Sequence, residues 1–274
     1  MGNLLKIEWL KIKNYTAFKV IAIFFLVGIV LANIFTYYCY QKISANTPAG
    51  DFIGTFNPYS FTSTWQTTSY VSGFLLILPA MLILMLVTNE YTFRTNRQNV
   101  IDGWSRAEFI GVKLMMAFIF ALVSTIVVFI TAMAFAFYTK TDFSFHSVSH
   151  VGYFFLKAVT YNMFAVLISV LVKKTGFAIG LFFIYLVGEN FISNLLDFLS
   201  LKLRADKTMD VGSLGNYLPM NAADGLLTFP DNPLKSLAKG ISPTNYTYVV
   251  LGFAIFYLLL FIVWSRKKYM NADL

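Results

Sequence analysis

The sequence predicts an all-α integral membrane protein with six transmembrane helices. Hydrophobic residues make up 58% of the 274 positions, and charged residues make up only 12%. A soluble domain is about 25% charged because it needs a hydrated surface, so this chain has too little charge for a water-exposed exterior. The chain also contains six separate apolar windows, each close to the about 20 residues that a helix needs to cross a bilayer.

The six windows are expected to form a single transmembrane domain that covers residues 1–274. The first window is 19 residues long and has no small-residue cleavage site after it, so we expect a retained span rather than a signal peptide. The six predicted spans are Val20–Tyr38, Val71–Thr88, Leu114–Tyr138, Val151–Val172, Gly176–Leu199 and Tyr246–Trp264.

The distribution of Lys and Arg predicts the orientation of the chain. Segments 1–19, 89–113, 173–175 and 265–274 hold thirteen basic residues in 57 positions, whereas the alternate segments hold seven in 90 positions. Basic residues near span ends stay on the cytoplasmic side. We therefore expect a multi-pass protein of the plasma membrane with both termini in the cytoplasm. Its net charge of +8 indicates membrane lipids, rather than nucleic acid, as partners.

The first segment is predicted to contain an interfacial helix. Leu5, Trp9 and Ile12 recur at i, i+4 and i+7, with Lys6 and Lys13 on the opposite side. A basic anchor before the first span is the alternative interpretation.

The fourth and fifth spans are separated by three residues, 173–175, and must form a tight antiparallel hairpin. Folding the chain at this point brings Lys157 within about one helical turn of Glu189. Charges inside a membrane usually face a partner or a watery cavity, so a buried ion pair between these two residues is one hypothesis. Snorkelling of Lys157 to the head-group region is the other.

A polar stripe follows one face of the fifth span. Glu189, Ser193 and Asp197 lie at i, i+4 and i+8, with Asn190 and Asn194 beside them. We predict that Lys157, Glu189, Ser193 and Asn194 contribute to a pathway or to a subunit contact.

Common catalytic motifs are missing from the sequence. No glycine is followed by lysine, which excludes the usual phosphate-binding loop, and neither Gly-x-Ser-x-Gly nor His-Glu-x-x-His occurs. His146 and His150 provide only two possible metal ligands, so no metal site is expected. We predict that the chain is not an enzyme and holds no cofactor of its own.

Segment 89–113 is the most distinctive part of the sequence. Glu90 and Arg94 are four residues apart, and Arg97 adds another turn, so a short helix with charge pairs is predicted. Gly103 is expected to turn the chain. Ser105 and Glu108 then form a capping box that leads into the third span.

This segment resembles the cytoplasmic loop of type-two ATP-binding-cassette (ABC) permeases, the six-span subunits of exporters whose ATPase is a separate chain. The opening Leu-Leu-Lys-Ile-Glu-Trp-Leu-Lys is also similar to the start of that family. The family usually has Gly where this chain has Arg94. The matching residues are Glu90, Tyr91, Thr95, Arg97, Gly103, Ser105, Arg106, Glu108 and Lys113.

The resemblance implies an ABC transporter permease that works as a homo- or heterodimer with ABC ATPase subunits. ATP and Mg would bind to the partner ATPase, and segment 89–113 would contain the coupling helix. The residues that we predict to dock on the ATPase are Glu90, Arg94, Arg97, Arg106 and Glu108.

Three alternatives to an exporter subunit stay open from the sequence. An ATP-independent carrier or channel would usually show an internal repeat, and a membrane-embedded lipid-modifying enzyme would need convergent polar residues at one depth. An assembly or immunity subunit could use the same scaffold.

Segment 200–245 is long enough for a small helix near Leu226 and Leu227, and Ser242-Pro243 is predicted to start the last span.

Overall fold

A computed structural model of the protein describes residues 2–46, 58–101, 103–139, 145, 147–205, 211–230 and 246–271. Every regular element in these ranges is helical. Two are short 3₁₀ turns, Phe74–Leu76 and Leu214–Tyr217. The α-helices are α1 (Gly2–Lys13), α2 (Thr16–Asn46), α3 (Phe61–Gly73), α4 (Ile77–Thr92), α5 (Thr95–Ile101), α6 (Arg106–Tyr138), α7 (Ser149–Val172), α8 (Thr175–Ala205), α9 (Asn221–Asp224) and α10 (Thr247–Met270).

The described residues contain six helices that are long and apolar enough to cross a membrane, as the sequence predicted. They are longer than the predicted windows because polar residues extend them beyond the apolar stretch. The third span, for example, starts at Arg106 rather than Leu114, and the fifth continues to Ala205 rather than Leu199. Hydropathy locates the apolar part of a helix, whereas backbone hydrogen bonds set its length.

The second span differs most from the prediction, because it starts before Val71. It consists of α3, a 3₁₀ turn and α4, which together extend from Phe61 to Thr92. The α3 half is polar, and its buried side chains include Thr64, Thr67 and Ser72. These residues face other helices instead of lipid, so a hydropathy window does not detect them.

Helix α7 is the centre of the bundle. It packs against α3, α4, α6, α8 and α10, and 78% of its most apolar window is buried. Helix α2 packs on the outside, against α3, α4 and α6, and α1 packs on α2 and the start of α6.

The loops assemble at two ends of the bundle. We use "basic end" for residues 2–15, 88–101, 103–113, 173–175 and 265–271, which are joined by contacts such as the hydrogen bond from Arg106 Nη1 to the Met270 carbonyl oxygen at 3.0 Å. We use "far end" for residues 58–66, 145, 147–157, 189–205 and 211–230, which are joined by contacts such as that of Gln66 with Thr228.

The predicted hairpin between the fourth and fifth spans is confirmed. Helix α7 ends at Val172, and α8 begins at Thr175. Lys173 turns the chain with a φ of 58°. At the far end, the short helix predicted near Leu226 and Leu227 lies slightly earlier, at α9. Ser242-Pro243 falls outside the described residues.

Candidate functional site

A buried cluster of charged side chains joins three helices at the basic end. Lys113 of α6 is only 2% exposed. Its Nζ lies 2.5 Å from Glu8 Oε2 of α1 and 2.6 Å from Glu90 Oε1 of α4. Charge-assisted hydrogen bonds of this length are the strongest in proteins. We name Glu8, Lys11, Glu90 and Lys113 the charge cluster.

Lys11 completes the charge cluster from its solvent side. Its Nζ lies 3.0 Å from Glu8 Oε1 and 3.2 Å from Glu90 Oε1, and it sits over the Trp104 ring at 5.7 Å. Two carboxylates therefore alternate with two ammonium groups, and the four formal charges sum to zero. This balance is what a buried ionic group requires, because an unpaired charge would carry a large desolvation cost.

The charge cluster shifts the pKa values of its α1 members. Burial alone raises the pKa of Glu8, but the charges and hydrogen bonds of Lys113 and Lys11 lower it further, so that the net shift is downward. Burial likewise lowers the pKa of Lys11, and the Glu90 and Glu8 carboxylates raise it to above its usual value. Both shifts favour the ionised forms.

The inward face of α1 differs from the predicted stripe. Glu8 and Ile12 are buried, whereas Trp9 is 55% exposed. The stripe is therefore rotated so that Leu5, Glu8 and Ile12 face the bundle. A hydrophobicity pattern treats Glu8 as a surface residue. The partner that makes its burial favourable, Lys113, lies 105 residues away in the chain.

The loop between α4 and α6 contains the predicted short helix. The helix begins after Arg94, however, so the predicted pair of Glu90 with Arg94 does not form along it. Helix α4 ends at Thr92, and α5 starts only at Thr95. Arg94 lies between them with a φ of 57°, so Glu90 and Arg94 do not share a helix face. Glu90 instead pairs with Lys113 and Lys11, which corrects the prediction.

The end of this loop follows the prediction closely. Gly103 has a φ of 99°, a conformation that glycine adopts without steric penalty. The capping box is present: Ser105 Oγ accepts a hydrogen bond from the Glu108 N–H, and Glu108 Oε2 accepts one from the Ser105 N–H at 2.9 Å. Trp104 N–H also donates to the Asn99 carbonyl oxygen at 3.0 Å.

The residues predicted to dock on an ATPase lie in different environments. Glu90 is buried in the charge cluster, where its carboxylate pairs with Lys113, and its docking role stays a prediction. Arg94 is exposed, Glu108 is exposed but engaged in the capping box, and Arg106 is half-buried against the end of α10. The Arg97 side chain lies outside the described residues.

Two exposed apolar residues on the same loop were not predicted. Phe93 is 72% exposed and Ile101 is 83% exposed, at the two ends of α5. An exposed apolar side chain on a loop between two spans is available for contact with a partner or with lipid. The sequence shows two apolar residues in this loop, but it does not show that their side chains are exposed. Their exposure becomes apparent only in the structure, where they border α5.

At the far end, the polar stripe of α8 receives the backbone of segment 211–221. Glu189 Oε1 accepts hydrogen bonds from the N–H groups of Met220 and Asn221 at 2.6 and 2.8 Å. Asp197 Oδ1 accepts one from the Gly215 N–H at 2.9 Å. Non-helical backbone near a membrane needs such partners, because lipid offers none. Glu189, Ser193 and Asp197 share the face that meets this segment, as their spacing predicted, whereas Asn194 is exposed.

The hypothesis of an ion pair between Lys157 and Glu189 is wrong, because Lys157 pairs with another carboxylate. Lys157 Nζ lies 3.1 Å from Asp224 Oδ1, at the end of α9. The Tyr161 hydroxyl donates to the same carboxylate at 3.0 Å. Glu189 is committed to the N-terminal backbone of α9, so the same four-residue helix is attached to α8 at its start and to α7 at its end.

Ser193 and Asn194 have different surroundings. Ser193 is buried beside the 3₁₀ turn that contains Gly215, which is a contact within the subunit, and Asn194 is exposed.

His150 Nδ1 lies 3.1 Å from the Ser147 carbonyl oxygen, and His146 falls outside the described residues. The described part of the chain contains no group of three or more potential metal ligands.

No protein-family model matches this chain, and no curated protein matches it in sequence. The resemblance to type-two ABC permeases therefore rests on the residues quoted above.

Proposed function

We propose that this chain is the membrane-spanning permease subunit of an ABC exporter, which couples ATP hydrolysis on a separate ATPase chain to movement of a substrate. The observation that carries this proposal is helix α5. It is a short helix between the ends of two spans, and the large apolar side chains at its borders, Phe93 and Ile101, are exposed. Exposed Arg94 follows Phe93 directly in the chain, and arginine and aromatic residues are enriched at protein interfaces, which supports a docking segment for a soluble partner.

The charge cluster gives this surface a mechanical connection to the spans. It fastens α1 and the end of α4 to the start of α6 through buried hydrogen bonds to Lys113. A force on α5 would therefore move the three helices together, and α4 and α6 both pack on the central helix α7. Movement of packed helices as rigid units is a common route between two states of a protein.

The basic end faces the cytoplasm in this proposal, and the membrane is the plasma membrane. Orientation can be measured with a membrane-impermeant maleimide and a cysteine placed at exposed Gln98, in a Cys39→Ser background. Labelling is expected in inside-out vesicles and not in intact cells. Labelling in intact cells would place α5 outside and exclude an ATPase contact there.

A second permease subunit, identical or related, completes the pathway. The least buried spans are α2, α8 and α10, with between 17% and 22% of each apolar window buried. Their faces are open to lipid or to another subunit. The mass of the complex in a lipid nanodisc distinguishes one copy from two.

The decisive experiment is purification from native membranes, followed by measurement of ATP hydrolysis. We expect an associated chain that hydrolyses ATP, and no hydrolysis by the subunit alone. Ile101→Glu should release the ATPase, whereas Lys202→Glu, an exposed charge reversal on α8, should not. Substrate movement by the lone subunit without nucleotide would instead support the ATP-independent carrier.

A further inference from the structure

An apolar pocket of about 690 Å³ lies between α1, α2, α4 and α6. Along α6 its lining extends from Met116 to Val127. These eleven residue steps, at a rise of about 1.5 Å each, give a length of about 16 Å. This length is about half the thickness of the hydrocarbon core of a bilayer and therefore matches one leaflet.

The pocket starts beside the charge cluster. Met116 is one helical turn from Lys113, and Ile12, which also lines the pocket, follows Lys11 directly. From there the pocket extends along α6 toward the middle of the bundle. The pocket therefore covers the part of the third span that lies nearer the basic end.

One basic residue belongs to the lining of the pocket. Lys6 is exposed, whereas nearly all other lining residues are apolar. Lys13 is not part of the lining but lies seven residues further along α1 and hence on the same helix face as Lys6. An apolar lining with a cation at its border fits an amphipathic ligand whose head group is anionic.

The pocket is wide enough for an extended hydrocarbon chain. Its volume of 690 Å³ over a length of about 16 Å gives a mean cross-section of about 43 Å². The charge of Lys6 favours a lipid over an apolar span of a second subunit, because a phospholipid provides a phosphate for the ammonium group and an apolar span does not.

We infer that the pocket binds one acyl chain of an anionic phospholipid from the leaflet at the basic end, with the lipid phosphate beside Lys6. Burial of the chain against Phe25, Leu82 and Phe120 supplies affinity by the hydrophobic effect. Lys6 supplies the preference for a negative head group. The inference does not depend on the proposed ATPase partner.

Trp9 lines the pocket and provides the probe. The full-length protein is placed in phosphatidylcholine nanodiscs that contain a small fraction of lipid with brominated acyl chains, and Trp9 quenching is taken as the difference between wild type and Trp9→Phe. We expect an about fivefold preference for brominated phosphatidylglycerol over brominated phosphatidylcholine, the effect of one lysine at a membrane surface. Lys6→Gln should remove the preference, and Lys174→Gln, at an exposed site outside the pocket, should retain it.

A second variant tests the pocket itself. Ala22→Phe places a ring within the lining and should reduce Trp9 quenching by both lipids. Equal quenching of the wild type by both lipids would overturn the anionic specificity. No Trp9 quenching by either lipid would overturn the acyl-chain site and would indicate that protein covers this face. If Ala22→Phe does not fold, the comparison of Lys6→Gln with Lys174→Gln still decides the inference.

Discussion

Arg94 adopts a backbone conformation that glycine adopts at lower cost. Its φ of 57° lies in the left-handed region, where a Cβ atom costs about 1–2 kcal/mol. The permease family that the chain resembles usually has Gly at this position. The side chain is exposed, so no buried contact offsets the strain.

We expect Arg94→Gly to raise the free energy of unfolding by about 0.5–1 kcal/mol, because relief of the strain exceeds the added chain entropy of glycine. Thermal unfolding in detergent micelles measures this change. Arg94→Ala removes the same charge but keeps the Cβ, and should not stabilise. Equal stabilisation by both variants would assign the effect to charge instead of backbone strain.

Among the residues of the basic end, Lys113 should contribute most to the free energy of unfolding. Lys113→Met leaves Glu8 and Glu90 buried without their shared partner, and we expect a loss of about 3–5 kcal/mol in unfolding free energy. Lys174→Met, which removes an exposed lysine, should have little effect. Adding Glu8→Gln and Glu90→Gln to Lys113→Met should recover part of the loss. A Lys113→Met protein as stable as the Lys174→Met control would contradict the structural role of the charge cluster.

At the scale of elements, the attachment of α1 should depend on pH. The pKa of Glu8 is lowered in the folded protein, so its contribution to stability is present above the ordinary value of 4.5 and is lost as the pH falls through the folded-state pKa. The pKa of Lys11 is raised, so its contribution is present below 10.5 and is lost as the pH rises through the raised value.

We therefore expect the unfolding temperature to fall on acidification below about pH 4.5 and the fall to be smaller in Glu8→Gln, which cannot titrate at this position. Unfolding scans in the same detergent between neutral and acidic pH provide the measurement. An identical acid profile for both proteins would show that Glu8 does not contribute to the transition.

The contact between α8 and segment 211–221 depends on the absence of a side chain at Gly215. A Cβ there would lie 2.7 Å from the Ser193 carbonyl oxygen and 2.8 Å from Asp197 Oδ1. We expect Gly215→Ala to cost about 1–3 kcal/mol, as overpacking typically does.

Gly188→Ala on the same helix is the matched control. A Cβ at Gly188 meets no atom within 4 Å, so alanine should be neutral or should stabilise the helix. Unfolding of both variants under the same conditions tests the contact. A Gly215→Ala protein as stable as Gly188→Ala would mean that the turn moves away from α8 without cost.

For the whole molecule, the pair of Lys157 with Asp224 connects the far-end segment to the central helix. Asp224→Asn leaves the Lys157 ammonium buried without its carboxylate, and we expect a loss of about 2–4 kcal/mol, since the Asp224 side chain is 27% exposed and water screens part of the interaction. Limited proteolysis of segment 211–230 in nanodiscs reports the release of this segment. The double variant with Lys157→Met removes both charges and should recover much of the protection. If the double variant is cleaved faster than Asp224→Asn alone, the ion pair does not hold the segment.

Local features of the fold could be predicted from the sequence because their signals lie within a few residues. The capping box of Ser105 and Glu108 and the hairpin at Lys173 are set by neighbours in the chain, and both are present. The start of the second span was predicted too late because Thr64 and Thr67 face protein rather than lipid. Hydropathy describes a residue, whereas burial depends on what packs against it.

The sequence by itself determined six apolar helices, because the energy of crossing hydrocarbon depends on the local content of apolar and charged side chains. Only the tertiary structure decided which charges meet. Glu8 with Lys113 and Asp224 with Lys157 are pairs between distant parts of the chain. A buried charge is stable only beside a partner, and the packing of α1 on α6 and of α9 on α7 brings those partners together.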